Sequence, residues 1–234
     1  MANPYVNKVE IKNGPVLIDL TSDTVRTQDV AAGVTFHLPT GETATGTGTD
    51  SVGLEKLIDR TISRVSHLSV TTIASYLFFG CSYLTDVNFP ACKSINEFAF
   101  RSCTAMTDVS FPECTTIGAS AFRGCSILTT IAFPKCTTIG QFAFAYSYSI
   151  AAASFPMCKT IASNAFKGCT RLAELYLMGS SVVSLGAEVF ASTPIGGYSA
   201  SAKRFGSVYV PASLLTAYQA ATNWSSISSR ITGV

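Results

Sequence analysis

LTDVNFPACKSINEFAFRSC, residues 84–103, is one copy of a unit that returns every 22 residues, and its alignment with its neighbours decides the fold. Phe89-Pro90 is followed at that step by Phe111-Pro112, Phe133-Pro134 and Phe155-Pro156, and the next step lands on Leu177. Ile95 stands in a column with Ile73, Ile117, Ile139 and Ile161, and Phe100 in one with Phe78, Phe122, Phe144 and Phe166. Leu84 leads to Met106, Leu128, Ile150 and Leu172, and Val87 to Val109, Ile131, Ala153 and Leu175. So many apolar residues in register make the period a property of the core.

Within the unit, Val87 and Phe89 share one face of a short strand, Asp86 and Asn88 share the other, and Pro90 ends its pairing. The remainder, Ser94 to Cys103, sets Ile95, Ala99 and Phe100 at spacings that predict a tight helical turn facing inward. A unit this small cannot bury its own apolar side, so copies must stack in parallel, their strands about 4.8 Å apart. The expected fold is an α/β repeat, a solenoid of about five to six units with helical caps. SVGLEKLIDRTISRV, residues 51–65, reads as a front cap helix with Leu54, Leu57, Ile58, Ile62 and Val65 on one face. At the back, LGAEVF (residues 185–190) matches IGASAF (residues 117–122) but arrives two residues late. A Gly/Ser/Ala-rich loop follows, then SVYVP, in which Val210-Pro211 makes a last Phe-Pro-like step, and ASLLTAYQAATNW, which completes a terminal cap. The expected division is a small α+β or β module at 1–50 and a repeat domain at 51–234, made of a cap helix at 51–65, repeats at 66–190 and a C-terminal cap at 191–234.

The eight cysteines obey the same period. Cys81, Cys103, Cys125 and Cys169 form one column, with Ser147 in the missing rung, and Cys92, Cys114, Cys136 and Cys158 form a second. Disulfides and a metal cluster are the alternatives to a packing role. Zinc sites use close CxxC pairs or nearby histidines, and side chains in one column point the same way, which works against bridge geometry. Small core residues at tight turns is the favoured reading. No metal and no cofactor are expected.

Catalysis is not expected either. His37 and His67 are the only histidines, neither beside a nucleophile in a recognised arrangement, and TGTGTD (residues 45–50) lacks the P-loop lysine and reads as a linker. Asn223-Trp224-Ser225 fits a glycosylation sequon by chance. The column Asp86, Asp108 and Glu174 reads as a solvated face rather than acid–base machinery. The chain has 234 residues, 47% hydrophobic and 13% charged, with a formal net charge of +2, too small for a phosphate-seeking surface, so no nucleic-acid partner is expected. No stretch is long and apolar enough to span a membrane, and MANPYVNKVEIKNG lacks the core of a secretory signal, which predicts a cytoplasmic product with no Sec route out.

The first fifty residues differ in pattern. KVEIKNGPVLIDL alternates on both sides of Asn13-Gly14, the signature of a strand pair joined by a tight turn. TQDVAAG (residues 27–33) reads as a short capped turn, and VTFHLPTGETATGT adds a strand and a turn. The segment holds three basic against six acidic residues, and the rest thirteen against eight, which supports a boundary near the Gly/Thr linker.

The recurring LxxVxFPxCxxIxxxAFxxC resembles the BspA-like class of leucine-rich repeat over roughly residues 65–190. SVYVPASLLTAYQAATNWSSISSRI looks like the closing segment of many such proteins. This resemblance implies a short leucine-rich-repeat solenoid, and a role in bacterial surface adhesion and host binding that recurs in bacteriophage proteins. LIDLTSDTVRTQDVAAGVTFHLPTGETATGT, residues 17–47, is similar to a small module of phage and prophage virion proteins and departs from its pattern at Phe36 and at Leu38 to Thr40. Together they imply a virion structural protein of tail-fibre, head-fibre or decoration type. Residues 1–50 would attach to other virion proteins and the solenoid would meet a host-surface protein or glycan, in a possible homo-oligomer. A bacterial cell-surface or secreted adhesin is the alternative. The expected binding face is the outward strand column set Asp86, Asn88, Asp108, Ser110, Thr130, Ala132, Ser154, Glu174 and Tyr176. A second candidate patch lies in the fourth repeat, where Phe142, Tyr146 and Tyr148 replace smaller or polar residues, tyrosine giving contact area at low entropic cost.

Overall fold

The computed structural model describes residues 64–66, 68, 70–197 and 205–234, together with six backbone strands between residues 5 and 45. Those six are β1 (Tyr5–Val6), β2 (Lys8–Ile11), β3 (Val16–Asp19), β4 (Val25–Arg26), β5 (Val34–His37) and β6 (Thr43–Thr45). β2 pairs antiparallel with β3 around the Asn13-Gly14 position, with a register shift between Val9 and Glu10. β5 joins the other edge of β2, β6 joins β5, and β1 pairs with β4. The capped turn at 27–33, the Gly/Thr linker at 46–50 and His67 lie outside the described residues.

From residue 64 onward the chain winds as a parallel β-solenoid of about seven turns. Each coil is triangular. One wall carries β7 (Arg64–Ser66), β9 (Asp86–Asn88) and β11 (Asp108–Ser110), then β13 (Thr130–Ala132), β15 (Ala152–Ser154), β17 (Glu174–Tyr176), β19 (Ser207–Val210) and β20 (Ile231–Gly233). A second wall carries β8 (Thr72–Ile73), β10 (Ser94–Ile95), β12 (Thr116–Ile117), β14 (Thr138–Ile139), β16 (Thr160–Ile161) and β18 (Ser184–Leu185) as one parallel sheet. The third side is a ridge of consecutive turns.

That ridge corrects the expected helical turn, and with it the α/β repeat. In the coil of residues 96–103, Ala99 and Arg101 N–H groups bond back three residues to Asn96 and Phe98, while Phe98, Phe100 and Ser102 N–H groups bond across to the carbonyls of Ala119, Ala121 and Arg123. A helix would use every donor within its own segment. Here alternate donors serve the next coil, and left-handed backbone at Phe98 and Ser102 redirects the chain twice. Ile95 likewise belongs to a strand, not to a helical turn.

The front boundary moves as well. Arg64 and Val65, expected at the end of a cap helix, lie in β7, where Val65 pairs with Val87 one period on, so the first rung precedes residue 66. Residues 51–63 lie outside the described residues. At the back, the two extra residues fall in the bend around Ser180-Ser181, and β18 regains register with Ile161 beside Leu185.

Two interleaved phenylalanine ladders fill the interior. Phe78, Phe100, Phe122, Phe144, Phe166 and Phe190 stack at 5.0–6.1 Å between centroids, within 9° of parallel. Phe89, Phe111, Phe133 and Phe155 stack at 5.7–6.0 Å beside them. Each of these rings is buried, worth about 1.5–3 kcal/mol apiece in apolar transfer.

The C-terminal segment does two jobs. It extends the first wall by β19, at the SVYVP step expected there, and by β20, a further parallel strand that was not expected. Between them, a 3-10 turn at Ala212–Leu214 and α1 (Leu215–Ala220) lead to Trp224, which closes the ladder against Phe190 at 6.0 Å and meets Tyr218 edge-on at 5.1 Å. The same side chains satisfy the backbone of the last coil. Trp224 Nε1 donates to the Val183 carbonyl (2.7 Å), the Val183 N–H donates to the Tyr218 hydroxyl (3.2 Å), and Asn223 Nδ2 donates to the Leu185 carbonyl (2.7 Å).

Candidate binding surfaces

The cysteine columns belong to the interior. In the first, Cys103, Cys125 and Cys169 thiols donate to carbonyls of the preceding coil, those of Phe78, Phe100 and Phe144, at 3.1–3.2 Å. Ser147 makes the same bond to Phe122 at 2.9 Å, which explains why serine substitutes there. Cys92, Cys114, Cys136 and Cys158 donate instead to carbonyls two residues on, at 3.3–3.5 Å. Desolvation by burial pushes Cys125, Cys158 and Cys169 up to about 12, and burial together with the neighbouring Cys92 does the same to Cys114. None of the eight forms a disulfide. Among the described residues no helix is long and apolar enough to cross a membrane.

The nine expected face residues all lie on the first wall, in two groups. β7, β9 and β11 set Arg64, Asp86 and Asp108 in one row and Ser66, Asn88 and Ser110 in the next. Among the described residues no ladder joins β11 to β13, so Asp108 and Ser110 are not paired with Thr130 and Ala132, and Val109 is only half-buried where its column mates are buried. The second group runs Thr130, Ala152, Glu174, Ser207 and, two residues on, Ala132, Ser154, Tyr176, Tyr209. Glu174 is thus separated from the two aspartates by the break.

Tyr209 was not singled out in the sequence, because it lies 33 residues beyond Tyr176, outside the period. The structure stacks the two rings at 4.7 Å and 14°, both half-exposed, and Tyr176 donates its hydroxyl to Glu174 Oε2 at 3.1 Å. Partial desolvation, then the hydrogen bond and charge of Glu174, raise the Tyr176 hydroxyl above its ordinary value. The arrangement is an aromatic step flanked by a carboxylate and small residues.

Phe142, Tyr146 and Tyr148 fall on the turn ridge. Tyr146 lies against Gly168 of the next coil and meets Tyr148 edge-on at 6.4 Å. Two ridge columns have left-handed backbone: Tyr76, Phe98, Ser120, Phe142, Asn164 and Glu188 in one, and Gly80, Ser102, Gly124, Tyr146, Gly168 and Ser192 in the other. Such backbone costs a non-glycine residue about 1–2 kcal/mol, so four aromatics held there are notable. Arg123 places its guanidinium over Phe142 and Tyr146, at 5.4 and 5.2 Å. One coil earlier, Arg101 does so over Phe79 and Phe98, and Tyr76 stacks on Phe98 at 4.7 Å. The glycines in Tyr146's column were the sequence sign of left-handed backbone there.

The second wall presents Thr72, Ser94, Thr116, Thr138, Thr160 and Ser184 in register, a hydroxyl row the sequence reading did not single out because it assigned that leg to a helix. It is kept flat by small neighbours: a Cβ at Gly118 or Gly140 would come within 2.7 or 2.6 Å of the preceding coil's backbone.

Parallel coils, stacked Phe-Pro turns and a buried cysteine column meet in one further observation: a model of the BspA type leucine rich repeat region matches residues 61–173 and 93–203, in six copies. The chain belongs to the BspA-type leucine-rich-repeat family. Among solved structures, this BspA-type chain is similar to a leucine rich cell surface protein from Faecalibacterium prausnitzii, 25% identical with a TM-score of 0.54 over 64% of this chain and 39% of that one. It is also similar to the pneumococcal vaccine antigen PcpA, 15% identical with a TM-score of 0.50 over 84% of this chain and 45% of that one. The T. pallidum leucine rich repeat protein is 24% identical at a TM-score of 0.44, over 56% of this chain and 77% of that one. The chain therefore spans under half the length of the first and second of these. No curated protein sequence matches it.

Proposed function

We propose that this BspA-type repeat domain is a non-enzymatic adhesion scaffold whose first wall contacts a host-surface protein or glycan. The observation that carries the reading is the Tyr176–Tyr209 stack beside Glu174, an accessible aromatic step on a flat sheet face. The similarity to a bacterial leucine rich cell surface protein supports it. So does the burial of all eight thiols, which withholds the chain's most reactive nucleophiles from solvent. The full chain should bind host cells in a pull-down, and Tyr176→Ala with Tyr209→Ala should weaken that binding about tenfold without lowering the melting temperature, a loss typical of central aromatic contacts. Unchanged binding by the folded double variant would remove the wall from the site.

The location proposed is the virion, with residues 1–50 docking to other particle proteins and the solenoid exposed, as a single copy or a homo-oligomer. The virion-like stretch LIDLTSDTVRTQDVAAGVTF, residues 17–36, supports this reading. Particles purified from an induced host should contain the protein, and lose it when residues 1–50 are deleted. The second reading, a bacterial cell-surface adhesin, is favoured by the Faecalibacterium likeness. Recovery of the protein from the surface of phage-free cells, and its absence from particles, would select that reading.

A further inference from the structure

We propose that Arg101 and Arg123 form a receptor site for the carboxylate or sulfate groups of an acidic polysaccharide, on the turn ridge of the solenoid. This deepens the binding reading above but uses a different side of the coil from the tyrosine wall. The two arginines occupy one column on successive coils. Gly80 N–H bonds to the Arg101 carbonyl and Ser102 N–H to the Arg123 carbonyl, both at 2.8 Å, which holds the coils at ladder spacing, about 4.8 Å.

Each guanidinium is clamped by two rings, Arg101 at 5.6 and 5.5 Å from the Phe79 and Phe98 centroids, Arg123 at 5.4 and 5.2 Å from those of Phe142 and Tyr146. A guanidinium held over aromatic rings keeps N–H groups for a bidentate oxyanion. No carboxylate of the described residues takes that place. Lys135 pairs with Glu113 and Lys167 with Glu188, yet neither arginine has an ion pair, and the exposed Glu97 beside Phe98 makes none. Three of the clamping rings, on Phe98, Phe142 and Tyr146, ride on left-handed backbone that Ser120, Asn164 or glycine occupies in other coils.

The backbone here favours a sugar over an extended peptide. Phe98 and Phe142 stand two coils apart, about 10 Å, and the coil between them carries the buried Ser120 and the partly exposed Gly124 at the matching positions. Tyr76 and Tyr148, 40% and 49% exposed, offer hydroxyls and ring edges at the two ends. An extended peptide would need an open strand edge, and this coil has none: Ser120, Phe122 and Gly124 N–H groups are bonded to the carbonyls of Gln141, Ala143 and Ala145.

The test is titration of the full chain with hyaluronan, heparin, neutral dextran and polyglutamate. Hyaluronan or heparin should bind in a salt-sensitive manner and dextran should not. The double variant Arg101→Gln, Arg123→Gln should lose about tenfold or more in affinity, the Arg101→Lys, Arg123→Lys pair severalfold, and Tyr176→Ala nothing. The lysine pair keeps the test valid if the glutamine pair fails to fold. Absence of binding to either acidic glycan, or binding indifferent to both arginine pairs, overturns the proposal. Equal arginine-dependent binding of polyglutamate also overturns it, in favour of an acidic protein ligand. Loss of cell binding in Tyr176→Ala with no effect of the arginine variants would retain the wall and discard this site, and the converse would do the reverse.

Discussion

At the scale of single residues, the cysteine columns show how a hydrogen bond and a small volume together choose a side chain. Ser147 is fully buried and bonds to the Phe122 carbonyl as the thiols bond in neighbouring coils. Ser147→Cys should change unfolding free energy by less than about 0.5 kcal/mol, whereas Ser147→Ala should lower it by about 1 kcal/mol, read from urea denaturation. The thiols also link stability to pH. Their folded-state values near 12 lie above the ordinary thiol value of about 8.5, so below about pH 8 both states keep their protons and the linkage is silent. As pH rises towards 12 the unfolded chain releases protons that the folded chain retains, and stability falls. Denaturation midpoints should be level from pH 6 to 8 and decline steeply above about pH 9; a midpoint independent of pH up to 11 would contradict the buried, protonated column. The column positions were legible in the sequence, but the carbonyl that each thiol of the Cys103 column meets was not, since it lies 25 residues away.

At the scale of elements, the ridge explains where sequence reading and structure part. Ile95, Ala99 and Phe100 satisfy the spacing of a helical turn, and their side chains do point inward, yet Ile95 lies in β10 and the rest of the segment is a chain of turns. Periodicity reports which side chains are buried; it does not report whether an N–H bonds within its own segment or to the neighbouring coil. The same blindness hid the second strand wall, whose strands are only two residues long. The C-terminal cap was easier to foresee, because Pro211 and the apolar residues after it form a local pattern, although β20 as its final strand was not. Trp224 is the element's anchor, fully buried and bonded to Val183. Trp224→Ala should cost about 3–5 kcal/mol, seen as a lowered melting temperature and as faster hydrogen exchange in β18 before the central coils.

At the scale of the molecule, stability runs along the stack. Each ring of the main ladder touches the one before and after, so a central rung supports two interfaces and a terminal rung fewer. Phe122→Ala, which removes stacking on Phe100 and Phe144, should cost about 3–5 kcal/mol and divide unfolding into two transitions in calorimetry; a single transition at a uniformly lower temperature would show that the coils do not uncouple. The break between β11 and β13 makes the first wall two surfaces, although the ladders and the second wall continue across it. By itself the sequence determined the period, the direction of stacking, the core membership of its phenylalanines, isoleucines and cysteines, and the outward column of the first wall. These come from a repeat of 22, because whatever one unit buries its neighbours must bury too. Only the tertiary structure decided that Tyr176 meets Tyr209, that Arg101 and Arg123 each lie over two aromatic rings, and that the ridge is turns. Each of these depends on contacts between coils, or on backbone handedness that no apolar pattern records.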